Sequence, residues 1–251
     1  MQKVLITGGL GFIGSHTCVT LLNKDFELVV IDNLSNSSEN ILKKIKLIVG
    51  REKAKFIDFY KGDINNIKFL ESIFANSSNG KKEIRSVIHF AGLKSVSESV
   101  NTPIRYWETN VSGTINLLKI MKKYDCKTLV FSSSATIYGD YGLNSIPEEA
   151  TIKPINPYGQ TKYTVEKILE NLFSSESKEW RIANLRYFNP VGAHPSGLIG
   201  EKPKGKPNNL LPIIIKVATN NQNLLKVFGN DWPTHDGTCI RDYIHVMDLA
   251  D

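Results

Sequence analysis

The sequence has few cysteines. Cys18, Cys126 and Cys239 lie far apart among its 251 residues and form no CxxC pair. Disulfide frameworks and structural zinc sites need cysteines that are numerous or closely spaced. We therefore expect no disulfide framework, no metal site, and a protein of the reducing cytoplasm.

Long apolar runs and concentrated basic segments are also missing. The first residues, MQKVLITGGLGFIG, carry glycines too early for the apolar part of a secretion signal, and Pro212 and Lys216 interrupt the run LLPIIIKVA. The formal net charge of +6 comes with lysines in short groups such as Lys43-Lys44, without the arginine and aromatic pattern of nucleic-acid-binding proteins. We expect no export, no membrane span and no nucleic-acid partner.

What the sequence does contain is an alternation of short apolar segments with helix-like ones. The apolar segments begin at Lys3, Glu27, Phe56, Ser86, Thr128 and Arg181. The helix-like segments are 14–23, about 66–75, 110–124 and 157–173. Continuous β-branched runs are typical of strands buried on both faces, and this alternation predicts an α/β fold with a doubly wound, Rossmann-like parallel sheet.

A glycine-rich turn follows the first predicted strand. Gly8, Gly11 and Gly14 stand at GxxGxxG spacing, directly before a predicted helix. Glycines here permit a tight turn and let the backbone approach a pyrophosphate, with the N–H groups of the helix facing it. The pattern predicts dinucleotide binding; a tight strand-to-helix turn without a ligand is the alternative.

Asp32 ends the second predicted strand, 18 residues beyond Gly14. A carboxylate there can accept hydrogen bonds from the ribose hydroxyls of adenosine and would repel a 2′-phosphate, which favours NAD over NADP. The alternative is that Asp32 caps the turn formed by DNLSNS. Asp63 and Ile64, after the third strand, are placed to flank the adenine.

Three hydroxyls, on Ser132, Ser133 and Ser134, end the fifth predicted strand. They reach the carboxyl edge of the sheet, where ligands bind in open α/β folds. The next helix begins near that edge, because Asn156 is a good N-cap and Pro157 suits the first helical position. We expect this edge to hold the catalytic groups.

Tyr158 and Lys162 lie four residues apart and so share one face of that helix. The ammonium and the cationic nicotinamide ring together would lower the tyrosine pKa from about 10 by about three units, which makes the phenol a base near neutral pH. The Ser134 hydroxyl would contact the substrate oxygen. The combination predicts a catalytic Ser–Tyr–Lys set, with a solvated helix pair as the alternative.

The composition changes after Asn189, where NPVGAHPSGLIGEKPKGKPNNLLP is rich in proline, glycine and lysine. We expect residues 1–189 to form the NAD-binding domain that carries the Ser, Tyr and Lys. Residues 190–251 should begin a smaller domain for the substrate, truncated in this chain. The final HVMDLAD is typical of the first turn of a further helix.

Eight segments, in order, resemble the extended short-chain dehydrogenase/reductase family and, within it, the nucleotide-sugar epimerases. They are VLITGGLGFIGSHT, DNLSNS, VIHFAGLKSVSESV, FSSSATIYG, NPYGQTK, LRYFNPVGAHPSG, PNNLLP and RDYIHVMDLAD. The resemblance implies a homodimeric, cytoplasmic, NAD-dependent isomerase of galactose metabolism. It would interconvert UDP-glucose and UDP-galactose through a transient 4-keto sugar.

The resemblance also gives roles to matching positions, with Ser134, Tyr158 and Lys162 as the catalytic set. The positions that match cofactor contacts are Gly8, Gly11, Phe12, Ile13, Gly14, Asp32, Asn33, Leu34, Ser35, Asn36, Ser37, Asp63, Ile64, Phe90, Ala91, Gly92, Leu93, Lys94, Asn110, Ser132, Tyr158, Lys162 and Phe188. The positions that match UDP-sugar contacts are Lys94, Ser134, Tyr158, Asn189, Asn209, Leu210, Lys226, Val227, Phe228 and Arg241. A guanidinium suits a diphosphate because it binds two oxygens at once.

Other activities stay open. Such epimerases usually continue beyond the position of Asp251 and supply there the residue that limits bulk at the sugar 2-substituent, so a UDP-N-acetylhexosamine or UDP-glucuronate 4-epimerase is an alternative. A nucleotide-sugar 4,6-dehydratase needs an acid and a base where this sequence has Ala135 and Thr136, and is disfavoured. An inactive NAD-binding regulator would have no need of the Ser–Tyr–Lys set.

Overall fold

The computed structural model describes residues 1–78, 83–142, 145–176, 179–204 and 209–251. Its main sheet has six strands in the order β3-β2-β1-β4-β5-β6. These are β1 (Lys3–Thr7), β2 (Glu27–Asp32), β3 (Ile57–Lys61), β4 (Ile84–His89), β5 (Thr128–Ser132) and β6 (Arg181–Leu185). All neighbouring strands are parallel, so their carboxyl ends meet at one edge. This order confirms the predicted doubly wound, Rossmann-like sheet.

Nine α-helices occur in the described residues. They are α1 (Phe12–Asn23), α2 (Asn40–Lys53), α3 (Ile67–Ser78), α4 (Val96–Asn101), α5 (Pro103–Tyr106), α6 (Gly113–Lys123), α7 (Pro157–Ser175), α8 (Leu210–Ala218) and α9 (Val246–Ala250). The predicted helices correspond to α1, α3, α6 and α7, and the predicted C-terminal turn to α9. In the part of the chain that the structure describes, no helix is both long and apolar enough to cross a bilayer.

The main sheet separates two apolar clusters. Leu5 of β1 packs on the face covered by α3, α6 and α7, together with Leu117 and Leu169. Its neighbour Ile6 packs on the opposite face, with Cys18 of α1 and Ile45 of α2. Successive side chains of a strand point to opposite faces, so the continuous apolar runs reflect burial on both.

The predicted strand from Arg181 to Asn189 divides into two, which corrects the sequence-based expectation. β6 ends at Leu185, and β7 (Asn189–Val191) pairs in parallel with β8 (Tyr243–His245) in a second sheet. The division occurs because Arg186 leaves the strand direction to bind buried Glu166.

The C-terminal residues return to the N-terminal half of the chain. Val246 is fully buried at the start of α9, and Lys24, directly after α1, forms an ion pair with Asp251 at 2.7 Å. The predicted division between 189 and 190 falls within β7 and stays a prediction.

Candidate active site

The turn between β1 and α1 leaves no space for side chains. Gly8 has a φ of +67°, and a Cβ there would lie 2.7 Å from the backbone nitrogen of Ala91. A Cβ on Gly14 would lie 2.4 Å from the carbonyl oxygen of Gly8. The amide of Gly11 donates to that same oxygen at 3.1 Å. The backbone at the start of α1 therefore carries no side chains at these positions and lies close to the sheet. This arrangement fits a bound pyrophosphate.

The Asp32 carboxylate is buried at the end of β2 and organises the loop that follows. Its Oδ2 accepts a hydrogen bond from Leu10 N at 3.1 Å. Its Oδ1 accepts from Leu34 N at 2.8 Å and from Ser37 Oγ at 2.7 Å. A carboxylate has about four acceptor sites, so one is left for a ribose hydroxyl. Asp32 thus caps the turn, and the same geometry leaves room for the predicted cofactor contact.

Three further hydrogen bonds hold this loop. Asn33 Nδ2 donates to Asp63 Oδ2 at 2.8 Å and so joins the loops after β2 and β3. Lys204 approaches from the C-terminal part of the chain: its Nζ donates to Leu34 O at 2.6 Å, and its amide donates to Asn36 Oδ1 at 3.0 Å. The region rich in proline and glycine therefore packs on the loop predicted to bind adenosine.

The remaining predicted cofactor positions are distributed around the same elements. Phe12 and Ile13 begin α1, Ser35 is exposed after β2, Ile64 is buried after β3, Phe90 to Lys94 follow β4, and Phe188 is exposed directly before β7.

Asn110 lies in a single turn of π-helix, Trp107–Ser112, between α5 and α6. Its Oδ1 accepts from Leu93 N at 2.8 Å, and its Nδ2 donates to Leu93 O at 3.0 Å and to Thr161 Oγ1 at 3.1 Å. Thr161 donates in turn to Tyr158 O at 2.7 Å. π-helical turns are frequent at functional sites. Here the turn lets one buried amide join the loop after β4 to α7.

His89 continues this network beneath the loop. Its Nε2 lies 2.8 Å from Thr114 Oγ1, and its Nδ1 lies 2.6 Å from Thr7 Oγ1. Because the Thr114 hydroxyl donates to Asn110 O, its oxygen accepts a hydrogen bond from Nε2–H, and Thr7 then donates to Nδ1. Burial, with a smaller effect of the Lys162 charge, lowers the pKa of His89 to about 3. The ring is therefore neutral and links β1, β4 and α6.

Ser134, Tyr158 and Lys162 meet at the carboxyl edge of the sheet. Ser134 Oγ accepts from Thr136 N at 3.2 Å and from Thr136 Oγ1 at 2.9 Å. The Ser134 proton is thereby left for its hydrogen bond with Tyr158. Lys162 Nζ donates to Ser132 O at 2.7 Å and lies 5.9 Å from the centre of the Tyr158 ring. The Ser134 hydroxyl is thus oriented to stabilise a phenolate at Tyr158.

The pKa values of this set differ from the sequence-based expectation. Burial raises the pKa of Tyr158, and the hydrogen bond with Ser134 offsets part of that effect. Burial also lowers the pKa of Lys162, to about 8. Burial therefore determines the direction of the Tyr158 shift here, and the lowering expected from Lys162 together with the nicotinamide ring stays a prediction. Desolvation dominates because both groups are enclosed, and the ammonium points to Ser132 O rather than to the phenol.

The predicted substrate positions are only partly brought together. Lys94 Nζ forms an ion pair with Glu201 Oε1 at 3.2 Å, and Asn209 donates to the same oxygen. Asn189 Nδ2 donates to Asp242 O at 2.9 Å beside β8.

The other predicted substrate positions are exposed; they are Leu210, Lys226, Val227, Phe228 and Arg241. Within the described residues, no hydrogen bond or ion pair links 226–228 or Arg241 to Ser134, Tyr158 or Lys162.

Several residues of the site are absent from the sequence-based prediction. These are Thr7, Gly9, His89, Thr136, Glu201 and Lys204. Thr7 and His89 are 82 positions apart, and Lys94 and Glu201 are 107 apart. Contacts at such separations leave no local signal. Gly9 is different, since a Cβ there would lie 2.7 Å from Val30 Cγ1, and the GG pair at 8–9 marks the position.

A parallel sheet with a glycine turn and a Ser–Tyr–Lys set at its carboxyl edge defines an NAD-binding enzyme of the short-chain dehydrogenase/reductase type. Residues 4–251 match the NAD dependent epimerase/dehydratase family. The chain belongs to this family, and the predictions of an enzyme and of NAD as its cofactor are confirmed.

Individual relatives are similar over the whole chain. The UDP-glucose 4-epimerase of Bacillus subtilis (strain 168) is 52% identical over 250 residues, which are 100% of this chain and 71% of that protein. The bifunctional UDP-glucose 4-epimerase and UDP-xylose 4-epimerase 3 of Arabidopsis thaliana is 50% identical, over 100% of this chain and 70% of that protein. A crystal structure of UDP-glucose 4-epimerase from Bifidobacterium longum in complex with NAD+ and UDP superposes with a TM-score of 0.92 at 46% identity, over 99% of this chain and 72% of that one.

Proposed function

We propose that this enzyme interconverts UDP-glucose and UDP-galactose by oxidising and re-reducing the sugar at C4. The observation that carries this proposal is the Ser134–Tyr158–Lys162 set, in which Ser134 Oγ accepts from Thr136 and its own proton remains available to the phenol. Relatives named UDP-glucose 4-epimerase, at 52% and 50% identity, support the choice of substrate.

Tyr158 is the base in this reaction. Its phenolate takes the proton of the sugar 4-hydroxyl, and the Ser134 hydroxyl stabilises the charge before that transfer. Lys162, positioned on Ser132 O, keeps a positive charge beside the ring. NAD, when bound, accepts the hydride from C4 and returns it, and its oxidised ring adds a second positive charge. The resulting 4-keto sugar turns over, and hydride returns to its opposite face while Tyr158 gives the proton back.

The residues around the glycine turn fit NAD. The open backbone at Gly8, Gly11 and Gly14 would bind the pyrophosphate, and the free acceptor site of Asp32 would bind the adenosine ribose. A buried carboxylate at this place repels a 2′-phosphate, which supports NAD over NADP.

For the sugar nucleotide, we assign Lys94, Asn189 and Asn209 to the UDP-sugar side. Arg241 would bind the diphosphate. The segment 226–228 would contact the uridine side, as the family resemblance implies.

The rival activities differ in what they need near Ser134. A 4,6-dehydratase requires an acid and a base there, whereas Thr136 uses both its amide and its hydroxyl to bind Ser134 Oγ. That contact argues against elimination. UDP-N-acetylhexosamine and UDP-glucuronate share the reaction at C4 and differ only in bulk or charge away from it.

The test is incubation of the full-length protein with UDP-glucose, UDP-galactose and their N-acetyl forms, followed by separation of the products. We expect the first two to interconvert without added cofactor. Tyr158→Phe should lower turnover by about 10²- to 10⁴-fold, because only the proton-carrying oxygen is lost. Tyr163→Phe, on the same helix, is the matched control and should retain turnover. Near-normal turnover in Tyr158→Phe would exclude Tyr158 as the base, and turnover of N-acetyl sugars alone would replace the proposed substrate.

We also propose that the protein is a homodimer. The segment of α4 and α5 exposes large apolar side chains to solvent, with Val100 at 60% and Ile104 at 74% exposure. Burial of this surface between two copies would remove it from water. Ile104→Glu should therefore give a monomer in light scattering, whereas Val227→Glu, equally exposed but outside this segment, should not. A monomeric unmodified protein would contradict the proposal.

A cytoplasmic location and the division into 1–189 and 190–251 are further proposals. The free thiols of Cys18, Cys126 and Cys239 suit a reducing compartment. Limited proteolysis followed by mass spectrometry tests the division, which predicts first cuts after residue 189.

A further inference from the structure

Three consecutive serines at the end of β5 contact three residues of α7 that are spaced one helical turn apart. The contacts are Ser134 with Tyr158, Ser132 with Lys162, and Ser133 with Glu166. The first two belong to the catalytic set. The third joins the same strand end to the same helix one turn further on, away from the reacting atoms.

Glu166 is a buried carboxylate at 5% exposure, and both of its oxygens are engaged. Ser133 Oγ donates to Oε1. Arg186 holds the carboxylate as a fork: its Nε lies 3.1 Å from Oε1, and its Nη2 lies 2.8 Å from Oε2. A buried charge is tolerated when it is paired and hydrogen-bonded in this way.

Arg186 extends the connection to the chain that follows Ser134. Its Nη1 donates to Tyr138 Oη and to Glu148 O, each at 2.7 Å. Tyr138 is the last residue of the 3₁₀ turn Ala135–Tyr138. The first residue of this turn is fixed by a hydrogen bond from Ala135 N to Tyr187 O at 2.9 Å. The turn that follows the serines is thus tied to the Glu166–Arg186 ion pair.

This arrangement matters because Ser134 and Tyr158 lie on different elements. Their hydrogen bond depends on the distance between the end of β5 and α7, and small displacements of catalytic groups have large effects on rate. The Lys162–Ser132 contact fixes that distance at one point only. The Ser133–Glu166 contact fixes it at a second point, so that the strand end cannot pivot about the first.

We propose that Glu166 is a positioning residue of the active site, acting with Arg186 through Ser133 to hold the Ser134 hydroxyl at Tyr158. This proposal rests on the proposed function of Ser134, Tyr158 and Lys162. In this proposal Glu166 acts only through Ser133 and is not one of the reacting groups.

Two variants of the full-length protein test it. Ser133→Ala removes the link and leaves the Glu166–Arg186 pair intact. The double variant Glu166→Met/Arg186→Met removes both charges together, so that no unpaired charge is buried. Glu170→Gln, one turn further on α7 and exposed, is the matched control.

We expect both variants to lower kcat by up to about 100-fold while KM for the UDP-sugar changes by less than about two-fold. The low-pH limb of the kcat profile should move to higher pH, because the phenolate loses the aligned Ser134 proton. An ultraviolet difference titration, with Tyr158→Phe as the reference, should show the same shift for the phenol without any turnover. The bound NAD of Ser133→Ala should match that of the unmodified protein, although its melting temperature should fall because Glu166 loses a buried hydrogen bond. All properties of Glu170→Gln should match the unmodified protein.

Unchanged kcat and an unchanged phenol titration in Ser133→Ala would overturn the proposal, whether or not the double variant folds. Failure of the proposed function has a different signature. In that case Tyr158→Phe would itself keep its turnover, and the role of Glu166 would be excluded together with that of the catalytic set.

Discussion

The Asn110 side chain binds both polar groups of the Leu93 backbone, with Leu93 N donating to Oδ1 at 2.8 Å and Nδ2 donating to Leu93 O at 3.0 Å. It imitates the pairing of a neighbouring strand at a place where no strand exists. The loop after β4 is therefore held against α7 by one amide, although the family resemblance assigns Asn110 to the cofactor.

Replacing this amide should loosen the loop. In Asn110→Leu the two backbone groups of Leu93 lose their buried partner, and we expect a loss of unfolding free energy of about 1–3 kcal/mol together with weaker retention of NAD. Urea unfolding and the NAD content of the purified protein measure the two effects. Asn116→Leu is the control, because its amide makes an exposed bond to Asn65 O. Full NAD content and full stability in Asn110→Leu would show that the loop holds itself.

The sequence predicts best those features of the structure that depend on residues close together along the chain. β1 and β2 have the predicted bounds because their apolar runs are continuous. α7 begins at Pro157 as predicted, because Asn156 Oδ1 accepts from Gly159 N at 2.8 Å and so caps the helix. Caps, turns and apolar runs involve neighbours in sequence, and these were sufficient for the sheet and for the Ser–Tyr–Lys set.

Other features were missed or required the tertiary structure. α2 is missing from the prediction although Ile41, Ile45 and Ile48 share one face, which is a local signal that was not used in the prediction. The direction of the pKa shifts at Tyr158 and Lys162 depends on burial, which spacing along a helix does not reveal. The contact of Lys204 with the loop after β2 joins positions 170 apart.

The neutral ring of His89 makes a specific prediction for acid stability. The folded-state pKa is about 3, whereas the unfolded-state value is about 6.5. Below the unfolded-state pKa the unfolded chain binds a proton that the folded protein refuses, so stability falls as the pH drops from 6.5 toward 3. At pH 5 this single group should cost about 2 kcal/mol of unfolding free energy.

His89→Phe isolates this contribution. At pH 7.5 the variant should be less stable by about 1–3 kcal/mol, because the buried Thr7 hydroxyl loses the acceptor Nδ1 and Thr114 loses one of its two hydrogen bonds. Between pH 7.5 and 5 it should lose less stability than the unmodified protein does. Urea unfolding at the two pH values gives both differences, and equal losses in the two proteins would mean that His89 titrates normally.

The glycine turn predicts a graded effect of added methyl groups. In Gly14→Ala the new Cβ would lie 2.4 Å from Gly8 O, whereas in Gly11→Ala it would lie 3.2 Å away. Alanine is the better helix former by about 1 kcal/mol, so propensity alone predicts stabilisation at Gly14. We expect the opposite: Gly14→Ala should lose about 1–3 kcal/mol of unfolding free energy because the turn is overpacked, and it should retain no NAD. The loss of unfolding free energy in Gly11→Ala should be smaller. A stable, NAD-loaded Gly14→Ala protein would mean that the turn can shift away from the helix.

We expect Lys162 to be needed for activity although its burial lowers the stability of the fold. Burial lowers its folded-state pKa to about 8, against an ordinary value of 10.5. Below pH 8 the folded protein therefore carries a buried ammonium, which costs about 3 kcal/mol of unfolding free energy. This cost diminishes as the pH rises from 8 toward 10.5, because over this range the folded protein has released the proton while the unfolded chain still binds it. Lys162→Met removes this cost but also removes the donor to Ser132 O, a loss of about 1 kcal/mol. We expect the variant to be more stable than the unmodified protein by about 2 kcal/mol at pH 7, with a difference that shrinks above pH 8, and to have little turnover at any pH.

Lys167→Met, which removes an exposed lysine of the same helix, should change neither property. Urea unfolding at pH 7 and 9.5 measures the stability, and the rate of UDP-sugar conversion measures the activity. A variant that is less stable than the unmodified protein at pH 7 would mean that the ammonium is well solvated in its site, and the assigned burial cost would be wrong.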